Sequence, residues 1–430
     1  MTEEYDHIVY RIPSSKEDIF KYKEEPIFST SVTYPQFSLG FQHFIHQTIS
    51  GGYGVDKMNK MIADFKGKKK VYLIMNKFER YIDDYDSDIN NISKAYFDVE
   101  PKPTIVNKSF YKLWELYFMF DLIDLKKDKF TTVCLDDEAG ALLQSVLLFR
   151  DKFSNKGLSK NDKYYLIDTK YEGIKKSEKT NKAILDYYKK EKPLRVINQT
   201  TLPKEKATLI IANGKYKLPN RILYEQETFR ILLEQLLNTL KIQEKNGSFI
   251  IKIYESFTNL LLKYVIMLTN LYDDVHIVKP LASSFANMEK YIVCQGFKDP
   301  KTKAKIIDQI ENILQLTKKN SNINIVDYFT EYNIESELKN TFIKLNTEIS
   351  NNQFTIVNSM IEFVSKQNYR GEEYNKRRQL QINATKYWLD NFFPSNKEIT
   401  EKHKKMMELT NTIAIKNSKK VTEFMKRLDN

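Results

Sequence analysis

The chain has 430 residues, 41% of them hydrophobic and 29% charged, a balance that supports a real core and excludes wholesale disorder. Lysine and arginine outnumber the acids 68 to 56, giving a net charge of +12 and a sequence pI of about 9.1. This surplus favours an anionic partner, nucleic acid being the usual one, although a lysine-rich surface set by coding bias would look the same.

No run of about 18 apolar residues is present, so no membrane helix is expected. The N-terminal stretch MTEEYDHIVYRIPSS is acidic and lacks an apolar signal core, so secretion by the standard route is not expected either. An intracellular, cytoplasmic location follows as the expectation. Cys134 and Cys294 both sit in apolar runs and read as small buried hydrophobes. The five histidines, His43 and His46 included, make no ligand spacing with them, so no structural zinc is expected.

Residues 1–104 read as a mixed N-terminal accessory region. It has turn chemistry at Gly51, Gly52 and Gly54, a basic run at Lys66–Lys70, a strand at Val71–Met75 and an acidic loop at Asp83–Asp88. The prolines in Glu100–Pro103 mark a boundary. Residues 105–298 then alternate. Helical spacing covers Ser109–Leu122, Ala139–Phe149, Lys182–Tyr188, Leu223–Leu240 and Phe257–Leu271. Apolar strand-like runs cover Phe130–Leu135, Lys163–Asp168, Leu194–Asn198, Ala207–Ala212, Ser248–Tyr254, Val275–Lys279 and Lys290–Cys294. Continuous apolar strands separated by helices predict an α/β domain, a mostly parallel sheet of about seven strands with helices on both faces.

From Asp299 onward strands are not expected. Lys301–Leu316, Ile334–Ile349, Phe354–Gln367, Asn375–Phe392 and Lys397–Lys426 read as helices, Pro394 breaking the last pair, and residues 299–430 form a helical C-terminal region. Lys376-Arg377-Arg378 reads either as a phosphate-binding cluster or as a solvated face. Trp388, at helical spacing with Phe392, reads as core.

Two stretches carry a more specific pattern. Gly247-Ser248-Phe249-Ile250-Ile251-Lys252 is followed, one helix later, by Val278-Lys279-Pro280-Leu281-Ala282-Ser283-Ser284-Phe285-Ala286-Asn287-Met288-Glu289-Lys290-Tyr291-Ile292-Val293-Cys294. Upstream, Phe110-Tyr111-Lys112-Leu113-Trp114-Glu115 forms an aromatic-Lys-Leu-x-Glu helix. From Lys112 to Phe297 the chain resembles FtsJ/RrmJ-type RNA ribose 2′-O-methyltransferases of the branch that works on mRNA caps, and composition and resemblance together suggest a large DNA virus, with a viral factory or virion as the setting.

The resemblance implies a Rossmann-like S-adenosylmethionine-dependent methyltransferase sheet and a Lys-Asp-Lys-Glu tetrad. Lys112 matches the first lysine, Lys252 the second and Glu289 the glutamate. Asn213 stands where the family has its aspartate, after the strand Ala207–Ala212. A ribose hydroxyl is a poor nucleophile, and a lysine serves as its base only where burial or a second cation makes the neutral amine accessible. Losing the aspartate's charge implies a rate loss on the order of 10² or more.

S-adenosylmethionine is the implied cofactor. Asp137 or Glu138, depending on a one-residue shift of alignment, Gly140, and Asp168 at the end of the second strand are its expected contacts. In the cofactor loop Gly140 survives, while Ala141 stands where a second glycine belongs. Three functions stay open: a divergent, slow methyltransferase; a catalytically silent relative that binds RNA, including capped mRNA, or scaffolds a partner enzyme through its helical C-terminal region; and a structural protein of a virion.

Overall fold

A computed structural model describes residues 5, 7–30, 75–78, 89–97, 105–137, 139–155, 157–169, 175–176, 182–213, 216–217, 224–320, 323–366 and 371–428. His43, His46, the glycines at 51, 52 and 54, Lys66–Lys70, residues 71–74 of the expected strand, Asp83–Asp88, Glu100–Pro103 and Glu138 lie outside them.

In chain order the strands are β1 (Ile8–Arg11), β2 (Ile27–Ser29), β3 (Thr131–Leu135), β4 (Lys163–Ile167), β5 (Lys175–Lys176), β6 (Val196–Gln199), β7 (Ala207–Ala212), β8 (Tyr216–Lys217), β9 (Gln243–Ile253), β10 (Tyr272–Lys279), β11 (Lys290–Phe297) and β12 (Asn324–Asp327). The helices are α1 (Ile89–Phe97), α2 (Lys108–Phe120), α3 (Ala141–Phe153), α4 (Lys182–Glu191), α5 (Tyr224–Ile242), α6 (Asn259–Leu271), α7 (Lys303–Lys319), α8 (Ser336–Ser365), α9 (Glu372–Phe392) and α10 (Ile399–Leu428).

The central sheet has eight strands in the order β1-β10-β11-β9-β7-β3-β4-β6. Pairing is parallel from β9 through β7, β3 and β4 to β6, and antiparallel where β11 meets β9 and β10 and where β1 meets β10. The interior strands are apolar on both faces because helices cover both. All five residues of β3 are buried, and α6 buries Leu260 through Thr269 without a polar stripe. The eighth strand, β1, adds the N-terminal segment to the sheet edge with Ile8 opposite Lys279.

Two expectations for the tail are corrected. A strand does occur beyond Asp299: β12 pairs antiparallel with β2, a partner nearly three hundred residues away that no local pattern reveals. Ile334–Ile349 and Phe354–Gln367 are not two helices but the single helix α8. Asn351 and Asn352 are weak helix formers rather than breakers. Leu338, Phe342, Leu345, Ile349, Gln353, Val357 and Met360 keep one face buried through the join. β9 also begins five residues before the expected Ser248. Register with β7 shifts between Ala207 and Leu209, and Gly247 sits where a Cβ would lie 2.9 Å from the Glu244 carbonyl oxygen and 3.0 Å from that of Thr208. Trp388 is core, 1% exposed.

Helix α2 runs through the middle of the molecule. The Asn107 side chain caps it by accepting from Ser109 N at 2.8 Å, and it ends at Asp121 in the left-handed region. Every residue from Phe110 to Phe120 is buried, because α9 and α10 close over the side away from the sheet. Trp114 Nε1 donates to the Phe392 carbonyl at 2.6 Å, and His403 Nε2 lies 2.9 Å from the Tyr117 carbonyl.

At the other end of the strands, fully buried Arg150 fixes the starts of β3 and β4. It donates to both oxygens of Asp162 at 2.8 Å and to the carbonyls of Asp124 and Lys127, while Asp162 also accepts from Phe130 N at 2.9 Å. Arg150→Met is expected to destabilise the fold by about 3 kcal/mol or more, because Asp162 is left charged and buried without its partner. Urea unfolding measures this, and a loss under about 1 kcal/mol would contradict it.

Candidate functional site

Strand polarity alone brings the site together. β7, β3 and β9 end on one edge of the sheet, so the residues just after them converge there: Asp136 and Asp137 after Leu135, Asn213 after Ala212, and Lys252 with Tyr254 at the end of β9. Because β11 runs antiparallel to β9, with Lys290 opposite Ile253 and Tyr291 opposite Lys252, the residue just before β11, Glu289, arrives at the same edge. α2 lays Lys112 across it. A pocket of about 250 Å³ is lined by Lys112, Asp137, Asn213, Lys252 and Glu289, together with Lys108, Ala141, Tyr254, Ser284 and Asn287. All four tetrad positions expected from the sequence therefore share one cavity, outside the carboxyl ends of the strands, where open α/β sheets bind ligands.

The ion pair at its floor joins Lys112 Nζ to Glu289 Oε1, with both residues 7% exposed. Burial alone would raise the Glu289 carboxyl. Lys112 and Lys252, the hydrogen bond from Lys112, and Lys279 together outweigh it and hold the group at about 2.

Lys279, 1% exposed, was not singled out from the sequence. Its ammonium donates to the carbonyls of Asn287 at 2.8 Å and Glu289 at 2.9 Å, tying both ends of the loop 280–289, and burial depresses it well below the ordinary lysine range. Its signal was the Lys-Pro that ends β10.

Glu115 was likewise missed, although it belongs to the quoted aromatic-Lys-Leu-x-Glu helix. One turn after Lys112, it is fully buried and accepts from Leu281 N at 2.7 Å, Ala282 N at 2.8 Å and Trp388 Nε1 at 2.8 Å. Burial raises its carboxyl to about 7 against those three donors and Lys112. His7 Nδ1 lies 3.9 Å away, but burial lowers that imidazole to about 4, so it is neutral near pH 7 and adds no ion pair. Glu115 thus ties the loop 280–289 to α2 on one side and to the C-terminal helices on the other.

The cofactor half is arranged differently from the simple expectation. Asp137 does line the pocket, but its carboxylate accepts from Leu143 N at 2.8 Å and Leu142 N at 3.2 Å, capping α3. Burial raises it to about 6 in spite of the N–H groups at the start of that helix. Gly140 takes φ 83° as the residue before α3, a conformation glycine adopts without strain. Asp168 follows β4 as expected but is exposed and is not among the pocket-lining residues.

Asp136, in the left-handed region at φ 58°, ties β3 to its neighbours by accepting from Thr169 N at 2.9 Å and Gln235 Nε2 at 2.8 Å. Two polar atoms at this edge are buried with no hydrogen-bond partner among the described residues: Asn213 Oδ1 and Thr169 Oγ1. Asn213 lines the pocket, whereas Thr169 is not among its lining residues.

The strand order, the reversed β11 and a polar pocket at the carboxyl edge define a Rossmann-like methyltransferase sheet. Residues 105–297 match the model of the FtsJ-like methyltransferase family.

Over 96 residues the chain is 41% identical to cap-specific mRNA (nucleoside-2′-O-)-methyltransferase 1 of Trypanosoma cruzi (strain CL Brener), a match covering 22% of this chain and 26% of that protein. The Trypanosoma brucei brucei (strain 927/4 GUTat10.1) protein of the same name is 34% identical over 96 residues, with the same coverage. The Homo sapiens protein of that name is 30% identical over 145 residues, 30% of this chain and 17% of that one. The matches span about a quarter or less of these relatives' lengths.

Among the described residues no helix is long and apolar enough to cross a membrane, and no group of three or more metal-ligating side chains assembles.

Glu289 contributes stability that is complete above the ordinary carboxylate value of 4.5 and is lost as pH falls toward about 2. Glu289→Gln is therefore expected to be less stable by about 3 kcal/mol at pH 7, since buried lysines lose their counter-charge. Urea titrations should find that gap narrowing below pH 4.5, whereas a gap constant down to pH 2 would contradict this account of the site.

Proposed function

We propose that the protein is an S-adenosylmethionine-dependent RNA ribose 2′-O-methyltransferase acting on mRNA, slowed by the asparagine at position 213. The observation that carries this reading is the convergence of Lys112, Lys252 and Glu289 with Asn213 in one pocket at the carboxyl edge of the sheet.

S-adenosylmethionine, when bound, supplies an electrophilic methyl group on a sulfonium. Asn213 Oδ1 is the unpaired acceptor in the pocket suited to holding its donors, with Ala139 and Ala141 forming the wall beside it. Lys252 takes the proton from the ribose 2′-hydroxyl at Nζ. It is buried beside Glu289, in the same pocket as a second cation, Lys112. Glu289, kept ionised by its lysines, orients them. Lys112, anchored by Glu289, stands beside the reacting oxygen and stabilises the charge that develops there.

Two observations favour a second reading, a silent relative that binds RNA or scaffolds a partner enzyme. The Asp137 carboxylate is engaged with the N-terminus of α3, and Ala141 carries a Cβ where the family has glycine.

Methyl transfer from labelled S-adenosylmethionine to capped and uncapped RNA separates the two. Transfer is expected with the wild-type chain, at least about 10²-fold less with Lys252→Ala, and about 10-fold more with Asn213→Asp, which restores a carboxylate beside the lysines. Absence of transfer in both the wild type and Asn213→Asp, with no calorimetric binding of S-adenosylmethionine, would exclude the enzyme and leave the silent relative.

A further inference from the structure

A second cavity, also of about 250 Å³, opens on the other side of the loop that carries Glu289. The two cavities share that loop as a wall: Ser284, Asn287 and Glu289 face the first, Leu281 and Phe285 the second. The remaining walls of the second come from outside residues 105–297. Tyr5, Lys77 and Phe78 belong to the N-terminal region, Asn352 to α8 and Arg377 to α9. Its chemistry is distinctive, with three aromatic rings and two cations, and no carboxylate among its described lining residues.

Phe285 is half-buried, so one part of its ring is packed and another is exposed to the cavity. Lys77 is exposed, with its ammonium 5.5 Å from the centre of the Tyr5 ring. Arg377 Nε donates to Glu373 at 2.9 Å in a pair whose side chains are 37% and 40% exposed, so water screens the pair heavily and the guanidinium keeps donors to offer. The basic cluster Lys376-Arg377-Arg378 is thereby divided. Lys376 points to solvent, Arg378 is buried, and Arg377 alone lines this cavity.

We propose that this cavity is a nucleotide subsite. It holds a base of the RNA strand flanking the nucleotide whose ribose enters the catalytic pocket, stacked against Phe285, with the neighbouring phosphates neutralised by Lys77 and Arg377. Single-stranded RNA is held by exactly these two devices in combination, an aromatic platform and a cationic track. The apolar residues Met75, Ile356 and Leu380 complete the walls, a surface against which a base packs, while the two cations with no carboxylate among the described lining residues favour a polyanionic strand over a peptide. The inference rests on the RNA methyltransferase reading. It adds that the N-terminal region, α8 and α9 act as the substrate-holding part of the enzyme, and that one loop sets the spacing between the held base and the methylated ribose.

Binding of a fluorescently labelled eight-nucleotide single-stranded RNA to the full chain, followed by anisotropy between 50 and 200 mM salt, tests it. The combined variant Lys77→Ala/Arg377→Ala is expected to weaken binding by about 10-fold and to reduce the slope of log Kd against log salt by about 1.4, two phosphate contacts at about 0.7 each. Phe285→Ala should weaken binding by a similar factor with the slope unchanged, and Phe285→Tyr should restore it, because stacking needs a ring and not its particular edge. Lys404→Ala, on α10 with its side chain 77% exposed, should bind as wild type. Wild-type RNA binding unchanged in both the combined variant and Phe285→Ala would overturn the subsite and leave the methyltransferase reading standing. No RNA binding by the wild type even at 50 mM salt would overturn both.

Discussion

One carboxylate, that of Glu289, is held out of water among the ammonium groups of Lys112, Lys252 and Lys279, and much of the architecture answers to that concentration of charge. Burying a charge costs several kcal/mol, and the cost is offset only when every charged atom finds a partner in good geometry. Lys112 pairs directly with Glu289, and Lys279 takes the carbonyls of Asn287 and Glu289, so the loop 280–289 is drawn closed around its own ion. Cations still outnumber carboxylates there. A carboxylate at position 213, in the same pocket, would supply a second counter-charge to those lysines.

The loop needs a second anchor, and Glu115 supplies it. Placing this carboxylate one turn after Lys112 fixes the loop's backbone N–H groups at Leu281 and Ala282 relative to that lysine on the same helix. Trp388 completes the set from α9. The C-terminal helices are therefore not an appendage beside the sheet. Their aromatic side chains and carbonyls close the outer side of α2, and through Glu115 they reach the loop that bears Glu289. β1 does the same from the other terminus, with Ile8 opposite Lys279 at the end of β10.

The two halves of the site differ in how tightly they are constrained. On the lysine side, every described charged group has its partners in the protein. On the side expected to receive the cofactor, Asn213 Oδ1 and Thr169 Oγ1 remain without partners among the described residues, while Asp137 is occupied with α3. Polar atoms left unpaired at the carboxyl edge of an α/β sheet are costly unless something binds there.

The sequence by itself determined the periodic elements and singled out Lys112, Asn213, Lys252 and Glu289, which the fold brings into one pocket. β7 falls where the run Ala207–Ala212 predicts, and β3, β4, α5, α6 and α9 within a few residues of expectation, because a strand or helix covered on both faces must be apolar at its own period. Lys252 and Glu289 were legible because each sits at a fixed offset from a strand end. Only the tertiary structure decided what depends on residues far apart in the chain. It paired β2 with β12, joined α8 across Asn351 and Asn352, spent Asp137 on a helix cap, and set Asp168 outside the pocket. It also brought Glu115, Leu281 and Trp388 together and placed Arg377 beside Phe285. Such contacts leave no period in the sequence, since each side chain is an ordinary helix or loop residue until the chain closes around it.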